Sequence, residues 1–407
     1  MSIQLLIILI YFAITVGLGV YAMKKNANAE DFTGSGLGVL MCVAAGTGEW
    51  LGGTSTTGVS EYGFLAGLSG SWYTISNSIG IIILAIFFAK LYRSLDVITV
   101  PGIIEKFIGK QARTVASVLL IFVMVAVGAS QVIAAGTLGV TVVGLDYKTS
   151  VIVLGIGFII YTLAGGMTAV GYTNTMHLIA MYGGVILALV FVSRDIGGLA
   201  ALQTALPAQP YFSWFGIGVP KVTSWIIASI LGACTAQAGI QPILAAKDVP
   251  TARKAAFITA LIVGPFGIFT ALLGMAARVK YPDLADAKLG LPTLMMDLTP
   301  LVGGLVLSSI LAAILSTVSP IILAAGTMFT KDLYQNVMKP DATPQQVLNM
   351  GRISTGIAGL ICIAISLMPN LRILDMVYFA YTIRGSLFVV LLFGIYWKLT
   401  SQKGAIW

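Results

Sequence analysis

Short polar connections divide the chain into long apolar runs, which cover residues 2–23, 38–66, 69–89, 114–143, 149–168, 170–193, 222–246, 255–277, 301–329, 351–369 and 372–397. Each comes close to or exceeds the ~20 residues that carry a helix across the hydrocarbon core of a bilayer. Eleven spans are therefore predicted. Gly or Pro marks their ends at Gly63, Pro101, Gly165 and Gly166, Pro207, Pro250, Pro282, Pro340 and Pro369, residues that punctuate helices. Segments apolar on every side must be helices that satisfy their own peptide groups, because lipid supplies no partners. The pattern predicts an all-α polytopic membrane protein.

Two segments break the pattern. The second contains Gly46-Thr-Gly-Glu-Trp-Leu-Gly-Gly-Thr-Ser-Thr-Thr-Gly58, and the seventh contains Ala233-Cys-Thr-Ala-Gln-Ala-Gly-Ile-Gln-Pro242. Glycine lets a backbone leave the helix and proline removes a donor, so both stretches are expected to unwind. Freed carbonyls at that depth are tolerated only where they line a cavity. The interruptions lie five segments apart, which makes segments two to six and seven to eleven successive sets of five. An odd number of spans per set inverts the second in the membrane, the pattern of inverted repeats around a midplane binding site. Many of the 46 glycines, such as Gly17 and Gly155, are better read as small packing residues. Packing alone does not explain hydroxyls, amides and a carboxylate gathered at the two interruptions.

The ninth segment adds Leu311-Ala-Ala-Ile-Leu-Ser-Thr-Val-Ser319. Ser316 and Thr317 are adjacent hydroxyls, and Ala313 lies one turn before them. Hard cations take oxygen ligands, so a hydroxyl pair facing an unwound carbonyl segment can hold a monovalent ion. Isolated Ser and Thr in membrane helices usually bond back to their own chain; here it is the neighbouring interruption that gives them meaning.

Composition narrows the function classes. Charged residues are 9% of 407 and hydrophobic ones 58%, with a mean hydropathy of +0.97, against roughly 25% charged in a globular domain. A soluble fold is excluded. The net charge of +8 does not mark a nucleic-acid binder, because the basic residues are scattered through loops and build no basic face. Alternate connections place fifteen Lys and Arg on one side, among them Lys24, Lys25, Lys247 and Lys331, and seven on the other. The richer side is expected to be cytoplasmic, which puts the N-terminus outside the cell membrane and the C-terminus inside. The first run lacks a basic flank before it and a small-residue cleavage site after it, and reads as a membrane helix rather than a cleaved signal. Cys42, Cys234 and Cys362 lie in apolar runs without a CxxC pair and read as buried hydrophobes. His177, the sole histidine, is best explained by one interhelical hydrogen bond.

These motifs resemble the sodium:solute symporter family, relatives of the sodium/proline, sodium/pantothenate, sodium/sialic acid and sodium/sugar carriers. The similarity spans essentially the whole chain. It is carried by Glu30-Asp-Phe32, Gly165-Gly-Met-Thr-Ala-Val170, Gln237-Ala-Gly-Ile-Gln-Pro-Ile-Leu-Ala-Ala-Lys247, Leu311-Ala-Ala-Ile-Leu-Ser-Thr317 followed by Thr330-Lys-Asp-Leu-Tyr334, and Met376-Val-Tyr-Phe-Ala-Tyr381. The resemblance implies a LeuT-type fold: one transmembrane transporter domain over 1–407, with a preceding helix and loop (1–37), a first repeat (38–193) and a second repeat (222–397). It implies inward sodium flow coupled to uptake of a small organic solute by a chain that works as a monomer. Carried over from the family, the sodium ligands are carbonyls of Ala44, Thr47 and Ala313 and hydroxyls of Ser316 and Thr317. Family cavities are lined from the helices that bear Trp50, Tyr73, Ser76, Asn77, Gln131, Gln237 and Tyr381, which makes these residues solute candidates.

Departures from the family pattern carry information too. Where members with a second ion site have Asp after an aromatic-Thr pair, this chain reads Tyr172-Thr173-Asn174, so one sodium per cycle is expected. Gly46 stands where proline carriers show Asp, which argues against proline as the solute. Glu49 and Arg384 are the formally charged side chains deep in the spans, each costing roughly 2.5–3.5 kcal/mol on insertion scales unless compensated. Three arrangements are open: a bridge between them, an Arg384 fork on a substrate carboxylate, or positions at a wet cavity mouth. A carboxylate-bearing solute, an amino acid or organic acid, is the expectation. A transporter-like sensor domain of a signalling protein is the alternative. No Ser-His-Asp arrangement, metal cluster or phosphate loop suggests an enzyme.

Overall fold

The computed structural model describes residues 2–25 and 36–406, except the side chains at 19, 20, 22–25 and 164–172. Glu30-Asp-Phe32 lies outside the described residues, as do the side chains of Lys24, Lys25, Gly165–Val170 and Tyr172. The principal helices are α1 (Ile3–Lys25), α2 (Val39–Trp50), α3 (Val59–Ala66), α4 (Trp72–Ile83), α5 (Val100–Phe107), α6 (Lys110–Leu138), α7 (Tyr147–Ile196), α8 (Val219–Ala233), α9 (Gln237–Leu244), α10 (Val249–Lys280), α11 (Pro300–Met328), α12 (Pro344–Ser366) and α13 (Ile373–Tyr396). Among the described residues, eight helical stretches are long and apolar enough to cross a membrane, and Ile3–Leu18 and Tyr147–Leu163 are shorter apolar helices.

Two helical paths are too long for a single straight crossing. Thr54–Ser94 runs for 41 residues, or ~60 Å as a straight helix, about twice the hydrocarbon thickness. It is broken at Gly67, whose φ of +68° and close approach to the Tyr211 backbone leave no room for a Cβ. The helical path Tyr147–Ile196 likewise cannot be straight. The Tyr161 hydroxyl donates to Thr173 Oγ1 at 3.1 Å, whereas twelve residues of straight helix would separate them by ~18 Å. The path therefore bends between Tyr161 and Thr173.

Local chemistry explains the helix ends. Asp146 and Asp248 cap α7 and α10 by accepting from the N–H groups of Thr149 and Thr251. Hydrogen bonds from the side chains and backbone of those threonines hold both carboxyls below their usual range,. Thr343 opens α12 with a capping box closed by Gln346,.

The ninth apolar segment, α11, occupies the centre. Its residues are buried without interruption from Val306 to Gly326, and it packs against α1, α6, α7 and α12. α2 and α3 on one side, and α8 and α9 on the other, are the two halves of the interrupted segments. Their far ends are joined by backbone: Leu37 N–H donates to Ala245 O (2.9 Å) and Lys247 N–H donates to Leu37 O (3.0 Å).

Candidate functional site

The first interruption is narrower than the Gly46–Gly58 stretch that announces it. α2 stays helical through Trp50, ends at Leu51 (φ −108°, ψ 66°), and resumes as a wide turn over Thr54–Gly58. The break thus falls on Leu51–Gly53. It strips partners from peptide groups in a medium where each orphan costs several kcal/mol. Side chains from other helices replace them. Gly53 N–H donates to Gln131 Oε1 (2.6 Å), and Gln131 Nε2 donates to Thr54 Oγ1 (2.8 Å) and Ser130 Oγ (3.1 Å).

On the other side of the break, the Thr317 hydroxyl donates to the Gly48 carbonyl, with Ser316 Oγ 3.4 Å from the same oxygen. Ser316 also donates back to Ala313 O at 2.9 Å. The hydroxyl pair of α11 therefore meets the broken helix, through Gly48. Thr47 O accepts the closing bond from Leu51 N–H (2.9 Å), and Ala44 lies within the helical part of α2. Thr47 Oγ1 is buried and has no hydrogen-bond partner among the described residues. Asn174 Nδ2 donates to Ser316 O at 3.3 Å, so a neutral amide adjoins the hydroxyl pair. A Cβ on Gly52 would stand 2.4 Å from Thr317 Oγ1 and 2.5 Å from Gln131 Oε1; only glycine lets these two side chains close over the break.

The second interruption falls on Cys234–Ala236, before Gly239 and Pro242, which stay within α9. Tight bonds from Cys234 N–H to Leu231 O (3.3 Å) and Thr235 N–H to Gly232 O (3.2 Å) finish α8. Tyr92 donates its hydroxyl to Cys234 O at 3.0 Å, and Thr235 Oγ1 donates to Arg384 O at 2.6 Å. Gly239 is needed for contact rather than unwinding, because the Trp50 indole lies against it. Gln237, the first residue of α9, turns away: its Oε1 accepts from Val100 N–H (2.6 Å) and its Nε2 donates to Ile98 O (3.2 Å).

Arg384 lies beside this second break, fully buried, with its guanidinium carbon 3.8 Å from the centre of the Tyr381 ring and 5.2 Å from that of Trp50. None of its three guanidinium nitrogens has a hydrogen-bond partner among the described residues. Glu49 is buried, its Oε2 is equally unpartnered, and it interacts electrostatically with Arg384, Tyr73 and Tyr381. No ion pair within 4.0 Å joins Glu49 to Arg384; the six such pairs among the described residues lie elsewhere. Tyr73 and Tyr381 share a hydroxyl contact at 3.1 Å. Ser76 donates to Trp72 O (2.5 Å), and Asn77 donates to Tyr73 O (2.8 Å) while its Oδ1 has no hydrogen-bond partner among the described residues. Trp50 also lines a small, mostly apolar cavity with Cys42, Gly46, Pro242 and Thr259.

A model of the sodium:solute symporter family matches residues 32–407. The chain belongs to that family. It is therefore a sodium-coupled solute symporter and a multi-pass membrane protein, not an enzyme, and sodium is a co-transported substrate. The osmoregulated proline transporter OpuE of Bacillus subtilis (strain 168) is 27% identical over 429 residues, covering 100% of this chain and 86% of its own length. The sodium/glucose cotransporter of Vibrio parahaemolyticus is 26% identical, with 99% and 82% covered. Among solved structures, a substrate-bound, outward-open Na+-coupled sialic acid symporter superposes with a TM-score of 0.84 at 19% identity, covering 99% of this chain and 88% of that one. MhsT in complex with L-phenylalanine gives 0.65 at 16%, covering 92% and 90%. The symporter shares their LeuT-type fold.

Several residues around the site were not singled out from the symporter's sequence. Tyr378 stacks on Trp225 at 4.3 Å and meets Tyr73 edge to face at 6.1 Å, and its hydroxyl, like Ser229 Oγ, has no hydrogen-bond partner among the described residues. The Tyr378-to-Tyr381 spacing, one helical turn, was the available signal. His177 Nδ1 meets the Tyr11 hydroxyl at 2.5 Å, an interhelical bond of the kind anticipated for it. The three cysteines are buried and unpaired.

Proposed function

We propose that this symporter imports a carboxylate-bearing solute, an amino acid or organic acid, with one sodium ion per cycle. One observation carries the solute class: a buried guanidinium set against the Tyr381 and Trp50 rings, with no hydrogen bond from its nitrogens and no carboxylate within 4.0 Å among the described residues. Such a charge is costly unless a partner arrives, and a carboxylate fits its planar fork. Glu49, free at Oε2, faces an ammonium when the solute is zwitterionic. Trp50, Tyr73, Ser76, Asn77 and Tyr381 complete the surroundings; Gln237 is bonded to backbone, and Gln131 to the Gly53 N–H and the Thr54 and Ser130 hydroxyls.

Sodium sits where the Ser316 and Thr317 hydroxyls and the Ala313 carbonyl meet the end of α2, with carbonyls of Ala44 and Thr47 by family resemblance and of Gly48 by contact. Neutral Asn174 beside Ser316 supports a single ion. Eleven spans, counted by dividing Thr54–Ser94 and Tyr147–Ile196, form two inverted repeats (38–193 and 222–397) after the first helix (1–37). The Lys- and Arg-rich end, where Leu37 meets Ala245 and Lys247, is the cytoplasmic one, with the N-terminus outside. Transport is by alternating access.

A thermal-shift screen of amino acids, short-chain acids, sugars and vitamins, with and without sodium, tests the solute class. Stabilisation by carboxylates that requires sodium is the expected result. Stabilisation confined to uncharged sugars or amines would overturn it.

A further inference from the structure

We infer that Gln131 is a positioning residue that couples sodium occupancy to the setting of the first broken helix, and is not a solute ligand. The inference rests on the sodium site proposed above. Two of the peptide groups that the break frees, the acceptor Gly48 C=O and the donor Gly53 N–H, are held from two different helices: Thr317 of α11 takes the acceptor and Gln131 of α6 takes the donor. Both donors of the Gln131 amide are engaged, Nε2 lying between Thr54 Oγ1 and Ser130 Oγ, while Oε1 accepts from Gly53 N–H, and the residue is 1% exposed. No donor of it is left for a solute.

The two clamps meet across a single glycine, since Thr317 Oγ1 and Gln131 Oε1 both stand within 2.5 Å of the place a Gly52 Cβ would take. A hydroxyl has one proton to give, and Thr317 now gives it to Gly48 O. A cation held by the Thr317 and Gly48 oxygens needs lone pairs from both, so that proton must turn elsewhere. Across Gly52 it meets Gln131 Oε1, a carbonyl oxygen with a second lone pair beyond the one that Gly53 N–H uses. Sodium entry thereby adds a bond between α11 and α6 and holds the Gln131 amide in place beside Gly53. The segment so fixed follows directly on Glu49 and Trp50, so sodium binding and the solute cavity share one coupling free energy.

The test uses the purified full chain in detergent, with sodium alone as probe: stabilisation titrated with NaCl at constant ionic strength against choline chloride. Gln131→Leu should raise half-saturating sodium about tenfold. In a Thr317→Ala background the same change should add less than about twofold, because the bond it removes is already absent. Gln131→Glu keeps the acceptor and should bind sodium at least as well as the wild type. If Gln131→Leu does not fold, Thr54→Val, which removes the partner of Nε2, carries the test with an expected rise of about threefold. Unchanged half-saturation in these variants, full multiplication of the Gln131→Leu and Thr317→Ala effects, or weakened binding in Gln131→Glu would overturn the inference. A different result, wild-type half-saturation in both Ser316→Ala and Thr317→Ala, would instead remove the sodium site on which it rests.

Discussion

The two interrupted helices solve the same problem with different partners. At the first break the exposed carbonyl is met by hydroxyls of α11 and the exposed amide by Gln131, side chains that are neutral and able to swing. At the second break the exposed carbonyl is capped by Tyr92, and Thr235 fastens the break to the backbone of Arg384 itself. Hydroxyl protons that can turn aside let a small cation replace a hydrogen bond, which suits the first break to an ion. A phenol and a threonine that fix the main chain of an arginine-bearing helix suit the second to holding a charge in place for a larger guest. The difference teaches that unwinding by itself does not define a break; what satisfies the freed peptide groups sets its chemistry.

Substitutions can break this contrast. Arg384→Gln should act most strongly: an unpaired charge-assisted contact of this sort is worth about 2–5 kcal/mol, so solute affinity should fall at least ~30-fold while half-saturating sodium, measured without solute, stays within about threefold. Gly52→Ala comes next, since its Cβ would press on Thr317 and Gln131 at 2.4–2.5 Å. Overpacking of about 1–3 kcal/mol should raise half-saturating sodium roughly five- to 150-fold in the choline-balanced titration. Tyr92→Phe is the mildest. It strips one cap from Cys234 O, about 1 kcal/mol, and should weaken the solute about fivefold with sodium binding unaltered, as read by solute titration at saturating sodium. Equal effects of Gly52→Ala and Tyr92→Phe on both ligands would erase the distinction between the breaks.

Much of this was legible in the sequence. The apolar run 301–329 and the observed α11, Pro300–Met328, differ by one residue at either end, because nothing interrupts a span at the centre of the protein. The breaks were legible as regions but not as positions. Glycine marks both unwinding and close packing, and only the folded neighbours tell them apart: Gly48 stays helical against Asn174, and Gly239 stays helical against Trp50, while Gly52 and Gly53 carry the break. Gln131 and Gln237 illustrate a second limit. An amide in an apolar run announces that it will be bonded, since burying it unpaired is costly, but not whether its partner is a guest or the protein's own main chain. Arg384 announced its cost equally plainly, and only the packing shows that its guanidinium meets aromatic rings and no carboxylate among the described residues.

The strap between Leu37 and the Ala245–Lys247 strand of chain is made from peptide groups alone. A strap of that kind is blind to side-chain identity: exchanging Leu37 or Lys247 for another residue leaves its donors and acceptors in place, and only proline at either position deletes one,. The joining of the far ends of α2 and α9 is thus a property of chain geometry, and substitutions around Arg384 leave it in place.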